Sequence, residues 1–447
     1  MYVLLLLTLI IITVLIFLLF KDPISPSFLT ALAYVISTIA SLIGFLSWNS
    51  EKTLSLETYF LVIIGILSFF FGEIVVRKLK KSKKENTKVN EKSNNENITQ
   101  QRKKRIWIII YFIMIITFFF TIHEIKNICL NYGYKGNNFF EMLKYYRMKN
   151  DLLSGGNINA AYDLNFITKQ LLKFCFVSTV FIEYFLSENI IAHKSYKINL
   201  FYIFGFILGL SCSLLTTGRS MFFHLIVSFL IMLLIMIERE KGPITPFLKK
   251  HSKLIIFIPI VCIMLLYFLL PILGRTNNGG MIESTSFSIG AHIPSLNKIL
   301  RDTVDDEILR NKKLTFNNFY NFLANQGIIK NYIKPLNVWY RFGRYSSNTF
   351  TSLYAYYHDY GIFGVIILQM IFSIIINIIY IKAKKNNFEL IIYSYFFYTI
   401  IDQIRGDQFY GLLTSSTIAY LLLIIILYYL LIYEGNYKNG NKKIKRI

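Results

Sequence analysis

Charged residues are scarce in this chain. Only 16% of its 447 residues are Asp, Glu, Lys or Arg, whereas 54% are hydrophobic and 17% are aromatic. A soluble protein of this length could not remove so much apolar surface from water, so the composition excludes that class. The apolar residues come in runs of about 20, the length of a helix that crosses a ~30 Å hydrocarbon core. The sequence therefore predicts an all-α polytopic membrane protein.

Cysteine is also rare. The four cysteines, Cys129, Cys175, Cys212 and Cys262, are far apart, and three of them lie inside apolar runs. This spacing gives neither a disulfide framework nor the ligand pattern of a metal site. The amino-terminal run MYVLLLLTLIIITVLIFLLF has no basic start and no small-residue cleavage site, so we interpret it as a retained first span rather than a signal peptide.

About eleven spans are predicted within a single integral membrane domain, residues 1–447. The predicted spans are residues 2–20, 27–48, 58–76, 106–122, 170–187, 198–216, 220–237, 253–273, 361–381, 388–404 and 411–433.

Basic residues predict the orientation of these spans. Segment 77–105 is strongly basic, polar and free of aromatic residues, which is typical of a disordered cytoplasmic loop. Counting spans alternately from it places every other short basic segment inside, with the amino terminus outside and the carboxyl terminus in the cytoplasm. The formal net charge of +23 is then largely a topology signal and a source of contact with anionic lipid. Nucleic acid is not an expected partner, because no binding module accompanies the charge.

Two long segments are predicted on the outer side, residues 123–169 and 274–355. The second is too long to be only a connector. Its stretch HIPSLNKIL (292–300) places apolar residues on one helical face, namely Ile293, Leu296, Ile299 and Leu300. We expect a large, partly helical external loop that forms a cap over a sugar substrate. The alternative is a lid that only packs on the membrane domain.

One arginine stands between two apolar runs, in LLTTGRSMFFHLIV. The topology puts Arg219 at the outer boundary, in the turn between spans six and seven. It could simply reach lipid phosphates, as many arginines at span ends do. However, arginine is disfavoured in short outer loops, and a guanidinium matches a phosphate group with two parallel hydrogen bonds. We predict that Arg219 is catalytic and contacts a lipid-linked diphosphate.

A second group of candidates ends the large loop, in WYRFGRYSSNTFTSLYAYYHDYGIFG. Arg341 and Arg344 supply two more external guanidinium groups, and Asn348 and Thr351 are polar residues on the approach to the membrane. We predict that these four residues bind the diphosphate or the glycan.

His358 and Asp359 follow in the same stretch. His358 is the one side chain there that exchanges a proton readily near neutral pH, so it is a candidate catalytic residue. A structural, hydrogen-bonded histidine is the alternative. Asp359 is expected to cap the next helix, and Gly361 and Gly364 are expected to permit close helix contact.

These motifs carry a resemblance to a family. TTGRSMFF at an outer turn, GAHIPSLNKIL early in the large loop and NTFTSLYAYYHDYGIFG at its end resemble the Wzy-type oligosaccharide repeat-unit polymerases of bacterial surface polysaccharides. The resemblance covers roughly residues 205–380. It adds Arg147, in KYYRMKND, and Arg275 as weaker candidates for substrate binding. O-antigen ligases have a similar layout, but this chain has Ser347–Asn348 where they usually have a His-Asn pair.

The resemblance implies a glycosyltransferase of the bacterial cytoplasmic membrane. Its donor and acceptor would be glycans on undecaprenyl diphosphate, and the product would be O-antigen, capsule or exopolysaccharide. Arginines would stabilise the negative charge left on the departing diphosphate. A chain-length regulator is a possible partner. No cofactor is implied, because the donor is already activated and the sequence has no phosphate-binding loop of the Walker type.

No metal site is predicted. The acidic residues Asp305, Asp306 and Glu307 lie between Arg301 and Arg310 and are interpreted as a charged surface. The runner-up from another class is a lipid-linked oligosaccharide flippase or another transporter, which would explain many spans and intramembrane charges. It leaves the long external loop beside the outer arginines unexplained, and the sequence shows no internal repeat of the transporter kind.

Overall fold

A computed structural model describes most of the chain. The described residues are 1–49, 51–82, 97–136, 138–154, 164–192, 196–216, 219–246, 267, 280–301, 313–330 and 338–433.

The described residues are mostly helical, as predicted. The helices are α1 Tyr2–Phe20, α2 Pro26–Gly44, α3 Leu56–Ser82, α4 Asn97–Asn131, α5 Phe139–Ser154, α6 Phe166–Ile191, α7 Tyr196–Leu215, α8 Arg219–Lys241, α9 Met281–Gly290, α10 His292–Arg301, α11 Asn317–Asn325, α12 Ser352–Ala383, α13 Asn387–Phe396, α14 Tyr398–Asp402 and α15 Ser415–Tyr428. The described residues also contain a two-stranded antiparallel hairpin, β1 Tyr340–Phe342 and β2 Tyr345–Ser347, which pairs Arg341 with Ser346.

Nine helices of the described part are long and apolar enough to cross a membrane. They are Tyr2–Phe20, Pro26–Gly44, Leu56–Lys80, Arg105–Asn131, Phe166–Ile191, Tyr196–Leu215, Ser220–Lys241, Ser352–Ala383 and Ser415–Tyr433. Of the two other predicted spans, 388–404 is broken into α13 and α14, and 253–273 lies outside the described residues except for Tyr267. The chain is thus an all-α membrane protein.

The break between α13 and α14 falls inside an apolar stretch. At Phe397 the backbone N–H turns back to the carbonyl of Ser394, at 3.3 Å. The Thr399 hydroxyl donates to the carbonyl of Phe396 at 2.8 Å, which satisfies a group that the break frees from the helical ladder. Both helices are largely buried among α2, α6, α8 and α12. Irregular backbone at membrane depth is tolerated where protein covers it in this way.

Helices α3 and α12 form the closest long contact of the bundle. At Gly72 a Cβ atom would lie only 2.9 Å from the carbonyl oxygen of Met370 and 2.6 Å from Cβ of Ser373. The Ser373 hydroxyl donates to the carbonyl of Phe69 at 2.5 Å. Because Gly72 has no side chain, the two backbones come close enough for the Ser373 hydroxyl to reach the carbonyl of Phe69. Small residues and serines commonly bring membrane helices together in this way.

A network of charges joins helix ends at one end of the bundle, which we name the network end. Asp22, in the α1–α2 turn, accepts hydrogen bonds from Arg77 at 3.1 Å, Lys384 at 2.9 Å and the Tyr380 hydroxyl at 2.9 Å. Lys384 also pairs with Glu238 at 2.8 Å. These helix ends are the ones that alternate counting of spans placed on one side, so the structure agrees with that grouping.

The opposite end of the bundle, named the cap end, carries α9 and α10. The Ser37 hydroxyl donates to the carbonyl of Ile289 at 2.8 Å, and Trp48 Nε1 donates to the Ser286 hydroxyl at 2.9 Å. Asn297 accepts from the Ser55 amide at 2.8 Å. These bonds fasten the cap to α2 and α3. The predicted apolar face of 292–300 is also confirmed, since three of its residues are buried in the core: Ile293, Leu296 and Ile299.

Several boundaries differ from the sequence prediction. Helices α3 and α4 extend to Ser82 and back to Asn97, so both edges of the predicted disordered loop 77–105 are helical, and residues 83–96 lie outside the described part. Most of the described residues of 123–169 are helical too, in α4 and α5.

Two carboxyl groups of the membrane helices are removed from solvent. Glu73 and Glu183 are fully buried. Glu73 is paired with Arg77 and accepts from the Ser27 amide at 3.0 Å. Glu183 accepts from the Ser228 hydroxyl at 2.7 Å. Protein groups rather than solvent therefore bind the Glu73 carboxyl group and one oxygen of Glu183.

Candidate functional site

A cavity of about 270 Å³, lined by both polar and apolar side chains, lies at the cap end. Four chain segments converge on it: α10, the start of α11, the segment that leads into α12, and the segment after α14. Its lining combines aromatic rings with amides, a hydroxyl, a guanidinium and a carboxyl group. The lining residues are Ile299, Leu314, Phe316, Asn317, Asn318, Val338, Asn348, Phe350, Thr351, Tyr354, Ala355, Arg405, Gly406, Asp407 and Gly411. Two predicted substrate-binding residues, Asn348 and Thr351, are thus brought together at one site.

The segment after α14 supplies the charged groups of the cavity. The position of this segment follows from the broken helix, because α14 ends at Asp402 and the chain turns there. In this turn the Arg405 amide donates to the carbonyl of Asp402 at 2.8 Å. The Gln403 side chain donates to the Thr30 hydroxyl at 2.9 Å, and the backbone carbonyl of Gln403 accepts from the Ser352 amide at 2.8 Å. These bonds hold the segment between α2 and the start of α12.

Asp402 links the cavity to the membrane helices. Its Oδ2 atom lies 3.1 Å from Nε2 of His224, on α8, and 3.4 Å from Nη1 of Arg405. The imidazole of His224 stacks on the ring of Tyr398, with 3.8 Å between the ring centres. The Asp402–Arg405 ion pair holds the guanidinium of Arg405 at the cavity wall.

A second histidine is buried behind the cavity. His292 begins α10, and its Nδ1 atom lies 2.8 Å from the hydroxyl oxygen of Thr349, in a hydrogen bond. Burial, and after it the nearby Arg405 guanidinium, lowers the pKa of His292 to about 3. The imidazole is therefore neutral over the physiological range, and its role here is to position the 347–351 segment.

Asp407 faces the cavity from the same segment as Arg405. Its Oδ1 atom accepts from the Tyr356 hydroxyl and from the Tyr410 amide, both at 3.0 Å. Burial raises the pKa of Asp407 to about 6, although these hydrogen bonds act in the opposite direction. A carboxyl group with such a pKa takes up and releases a proton close to neutral pH.

His358 and Asp359 lie beside the cavity rather than in its wall. Nδ1 of His358 is 2.8 Å from Oδ1 of Asp359, and the His358 side chain is 13% exposed. The Asp359 carboxylate also accepts from the amides of Leu314 and Thr315, at 3.0 and 2.8 Å. Asp359 thus fastens the rim segment that contributes Leu314 to the cavity, in place of the predicted helix cap.

Gly361 and Gly364 do not make the close contact with another helix that the sequence predicts for them. Helix α12 starts at Ser352, nine residues before the predicted span, and it kinks at Gly361, where φ is 64° and ψ is −161°. A Cβ atom at Gly361 would meet nothing within 4 Å, so this glycine serves the kink and not a helix contact. At Gly364 a Cβ atom would come within 2.8 Å of the carbonyl oxygen of Tyr356, so the close approach there is to the turn before the kink.

The two hairpin arginines are not among the residues that line the cavity. Arg341 is exposed on β1. Arg344 forms an ion pair with Glu283 of α9, through a side chain that is 51% exposed. The hairpin therefore presents both guanidinium groups to solvent beside the cap, and Arg344 ties it to α9.

The remaining arginines fall in three different places. Arg147 lies on α5, which packs with the end of α4 in a separate apolar cluster. Arg219 is the first residue of α8, about a turn and a half before His224, and its side chain lies outside the described part. Arg275 falls outside the described residues altogether, as do Asp305, Asp306 and Glu307.

Sequence reasoning missed most of the charged groups of this site. The sequence presents His292 only as part of an apolar motif, and it indicates no role for Asp407. The available signal was DQIRGD, a polar cluster between two apolar runs at their predicted outer ends. Charges at the ends of spans are common, however, and only the fold shows that these ones face a cavity.

The fold and the cavity together define the class of this protein: an all-α membrane protein with a cavity of mixed polar and apolar lining at its cap end. No family model, curated protein or solved structure matches the chain.

Proposed function

We propose that this protein is a polymerase that joins undecaprenyl-diphosphate-linked oligosaccharide repeat units into a surface polysaccharide. The observation that supports this most is the cavity, where Asn348 and Thr351 meet Arg405 and Asp407. The first pair comes from the stretch that resembles the Wzy-type family. The second pair supplies the charges that a glycosyl transfer from a diphosphate requires.

The lining of the cavity suits a glycan next to a phosphate group. Phe316, Phe350 and Tyr354 offer apolar faces for a sugar ring, while the amides of Asn317 and Asn348 match its hydroxyl groups. The guanidinium of Arg405 is aimed by Asp402 and matches a phosphate oxygen pair. A volume of about 270 Å³ leaves room for the reacting sugars rather than for whole repeat units.

Arg219 belongs to the same end of the molecule. Its helix, α8, begins there, and His224 on that helix contacts Asp402. We propose that Arg219 and Arg405 together stabilise the negative charge that develops on the departing diphosphate. Each such contact typically contributes a few kcal/mol to lowering the barrier.

The proposed function requires the cap end to face outward, with the amino terminus outside and the carboxyl terminus in the cytoplasm. Single cysteines at Gln326, exposed on the cap, and Lys78, exposed at the network end, test this after removal of the native thiols. In intact cells a membrane-impermeant thiol reagent should label Gln326→Cys and spare Lys78→Cys. The reverse labelling would put the cavity on the wrong side for lipid-linked repeat units.

Reconstitution tests the activity itself. The purified protein is incubated with lipid-linked oligosaccharides extracted from cells that lack it, and the products are resolved by length. We expect a ladder of polymers without added nucleotide and in the presence of EDTA. Arg405→Ala should lose the ladder, whereas Arg301→Ala, in an exposed ion pair with Glu51, should keep it. Absence of polymer with the wild-type protein would refute the proposal.

Two observations favour a transporter as the second candidate. The carboxyl group of Glu183 is buried in a membrane-spanning helix, and within the described residues its Oε1 atom has no hydrogen-bond partner. Broken helices such as α13–α14 also occur in transporters. Cells that lack a flippase would hold single repeat units on the inner leaflet, whereas cells that lack a polymerase would hold them outside. The location of these units therefore decides between the candidates.

A further inference from the structure

Asp407 is the carboxyl group among the residues that line the cavity. We propose that Asp407 is the general base of the glycosyl transfer, and that it takes the proton of the acceptor hydroxyl group. This proposal rests on the proposed function. It gives Asp407 the proton-transfer role for which the sequence suggested His358, a residue that is not among those lining the cavity.

The geometry provides the first argument. Asp407 and Arg405 lie two residues apart on one segment, and both line the same cavity. In the proposed step, the guanidinium holds the leaving diphosphate of the donor, and the carboxylate receives the proton of the acceptor hydroxyl group. Their placement on a single turn supplies both groups to one reacting centre.

The second argument is how Asp407 is held. The Tyr356 hydroxyl and the Tyr410 amide both donate to Oδ1, which fixes the carboxylate plane against α12. Among the described residues, Tyr354 and Arg405 share the cavity wall with Asp407, and Tyr356 and Tyr410 donate hydrogen bonds to it. Helices α10 and α11 contribute Ile299, Asn317 and Asn318 to the wall, none of which is titratable. With the pKa of Asp407 raised to about 6 by burial, the group is ionised yet basic enough to accept a proton at neutral pH.

The step balances as follows. The acceptor hydroxyl gives its proton to the Asp407 carboxylate, and its oxygen forms a bond to the anomeric carbon of the donor. The bond between that carbon and the diphosphate oxygen breaks, and its electron pair leaves on the diphosphate. Asp407 later releases the proton to water.

A purely structural role makes a different prediction. Asp407 could serve only to cap the short 3-10 turn Tyr410–Leu412 through the Tyr410 amide. Asparagine caps as well as aspartate does, and it still accepts from the Tyr356 hydroxyl. Asp407→Asn therefore preserves the structural role and removes only the base.

The experiment uses the reconstituted full-length protein and the extracted lipid-linked oligosaccharides described above. For Asp407→Asn we expect a turnover rate lower by about 10²-fold or more, an unchanged KM and a melting temperature no lower than that of the wild type. Glu51→Gln, at an exposed ion pair outside the cavity, is the matched control and should retain the native rate. The wild-type rate should also fall as pH drops through about 6, and Asp407→Glu should recover part of the activity with a shifted acid limb.

The outcomes separate the two proposals. A polymer made by Asp407→Asn at the native rate would overturn the assignment of the base and leave the polymerase intact. If that variant fails to fold, the wild-type profile decides, because a rate that stays flat from pH 7 to pH 5 would overturn the assignment as well. A wild-type protein that makes no polymer would refute the function itself.

Discussion

The carboxylate of Asp22 is matched by cations at the network end of the bundle, whereas Arg405 and Asp407 face a cavity at the cap end. At the network end, Asp22 is shared by two cations and a tyrosine, and it is only 7% exposed. At the cap end, Arg405 has one carboxylate behind it and the cavity in front, and Asp407 has hydroxyl and amide donors as its neighbours. Matched charges hold helix ends together, whereas incompletely matched charges in a cleft are typical of catalytic and binding sites.

The largest expected effect is at the cap end, at Arg219. Arg219→Ala should lower the rate of polymerisation by ~10²–10³ while protein level and melting temperature stay near normal. Arg219→Lys should recover little, because an ammonium group keeps the charge but loses the two-pronged contact with phosphate. The readout is chain length in a gel of extracted polysaccharide. Full-length polymer from Arg219→Lys at the native rate would return this residue to ordinary contact with lipid headgroups.

The network end should respond in stability instead. Asp22→Ala leaves Arg77 and Lys384 facing each other without their shared carboxylate, and breaking a largely buried ion pair costs about 3 kcal/mol. We expect a clear drop in the melting temperature in detergent, with the residual folded protein still active. Glu51→Ala removes an exposed ion pair at the cap end and should cost less than about 1 kcal/mol. Equal effects of the two changes would contradict the comparison.

The kink in α12 should have a smaller effect on stability. Gly361→Ala places a side chain at a φ of 64° and a ψ of −161°, a region that is essentially limited to glycine, so we expect a loss of about 1–3 kcal/mol. Gly280→Ala is the control, because it also has open space around it but an ordinary φ of −61°. A loss at Gly280 as large as that at Gly361 would show that the kink is not the cause.

The smallest expected effect, counted per pH unit, is the pH dependence of stability that comes from His292. Its pKa is about 3 in the folded protein and about 6.5 in an unfolded chain, so the unfolded state binds the extra proton first. Its contribution to stability is therefore complete above about pH 6.5 and is lost as the pH falls toward 3, by up to about 1.4 kcal/mol per unit. His292→Gln should lose this dependence. The raised pKa of Asp407 changes stability with pH in the opposite direction. The stabilities of the wild type and of His292→Gln must therefore be compared with each other at each pH.

Much of the fold could be predicted because apolar runs determine where membrane helices lie. Eight of the nine spanning helices start within a few residues of the prediction. The exception, α12, begins early because YAYYHDY continues the helix as an aromatic and polar turn before Gly361. The break at Phe396 and Phe397 gave no local signal either, since its apolar sequence contains neither glycine nor proline.

The site was predictable only in part, for a related reason. Asn348 and Thr351 are close in sequence to one another, and they remain close at the cavity. His224, His292 and Asp402 come from three distant segments, and their meeting depends on how the helices pack. Local sequence could select polar residues at span ends, but it could not select the partners that would face them.

The attachment of the cap also sets an order of assembly. The hydrogen bond between Ser37 on α2 and Ile289 on α9 cannot form until Ile289, 252 residues further along the chain, has been synthesised. At a synthesis rate of about 5–20 residues per second, this delay lasts roughly 10–50 seconds. During that time the indole N–H of Trp48 and the hydroxyl groups of α2 have none of their cap partners. A nascent chain arrested before residue 280 should therefore carry a first group of helices that proteases and chaperones still recognise as unfinished.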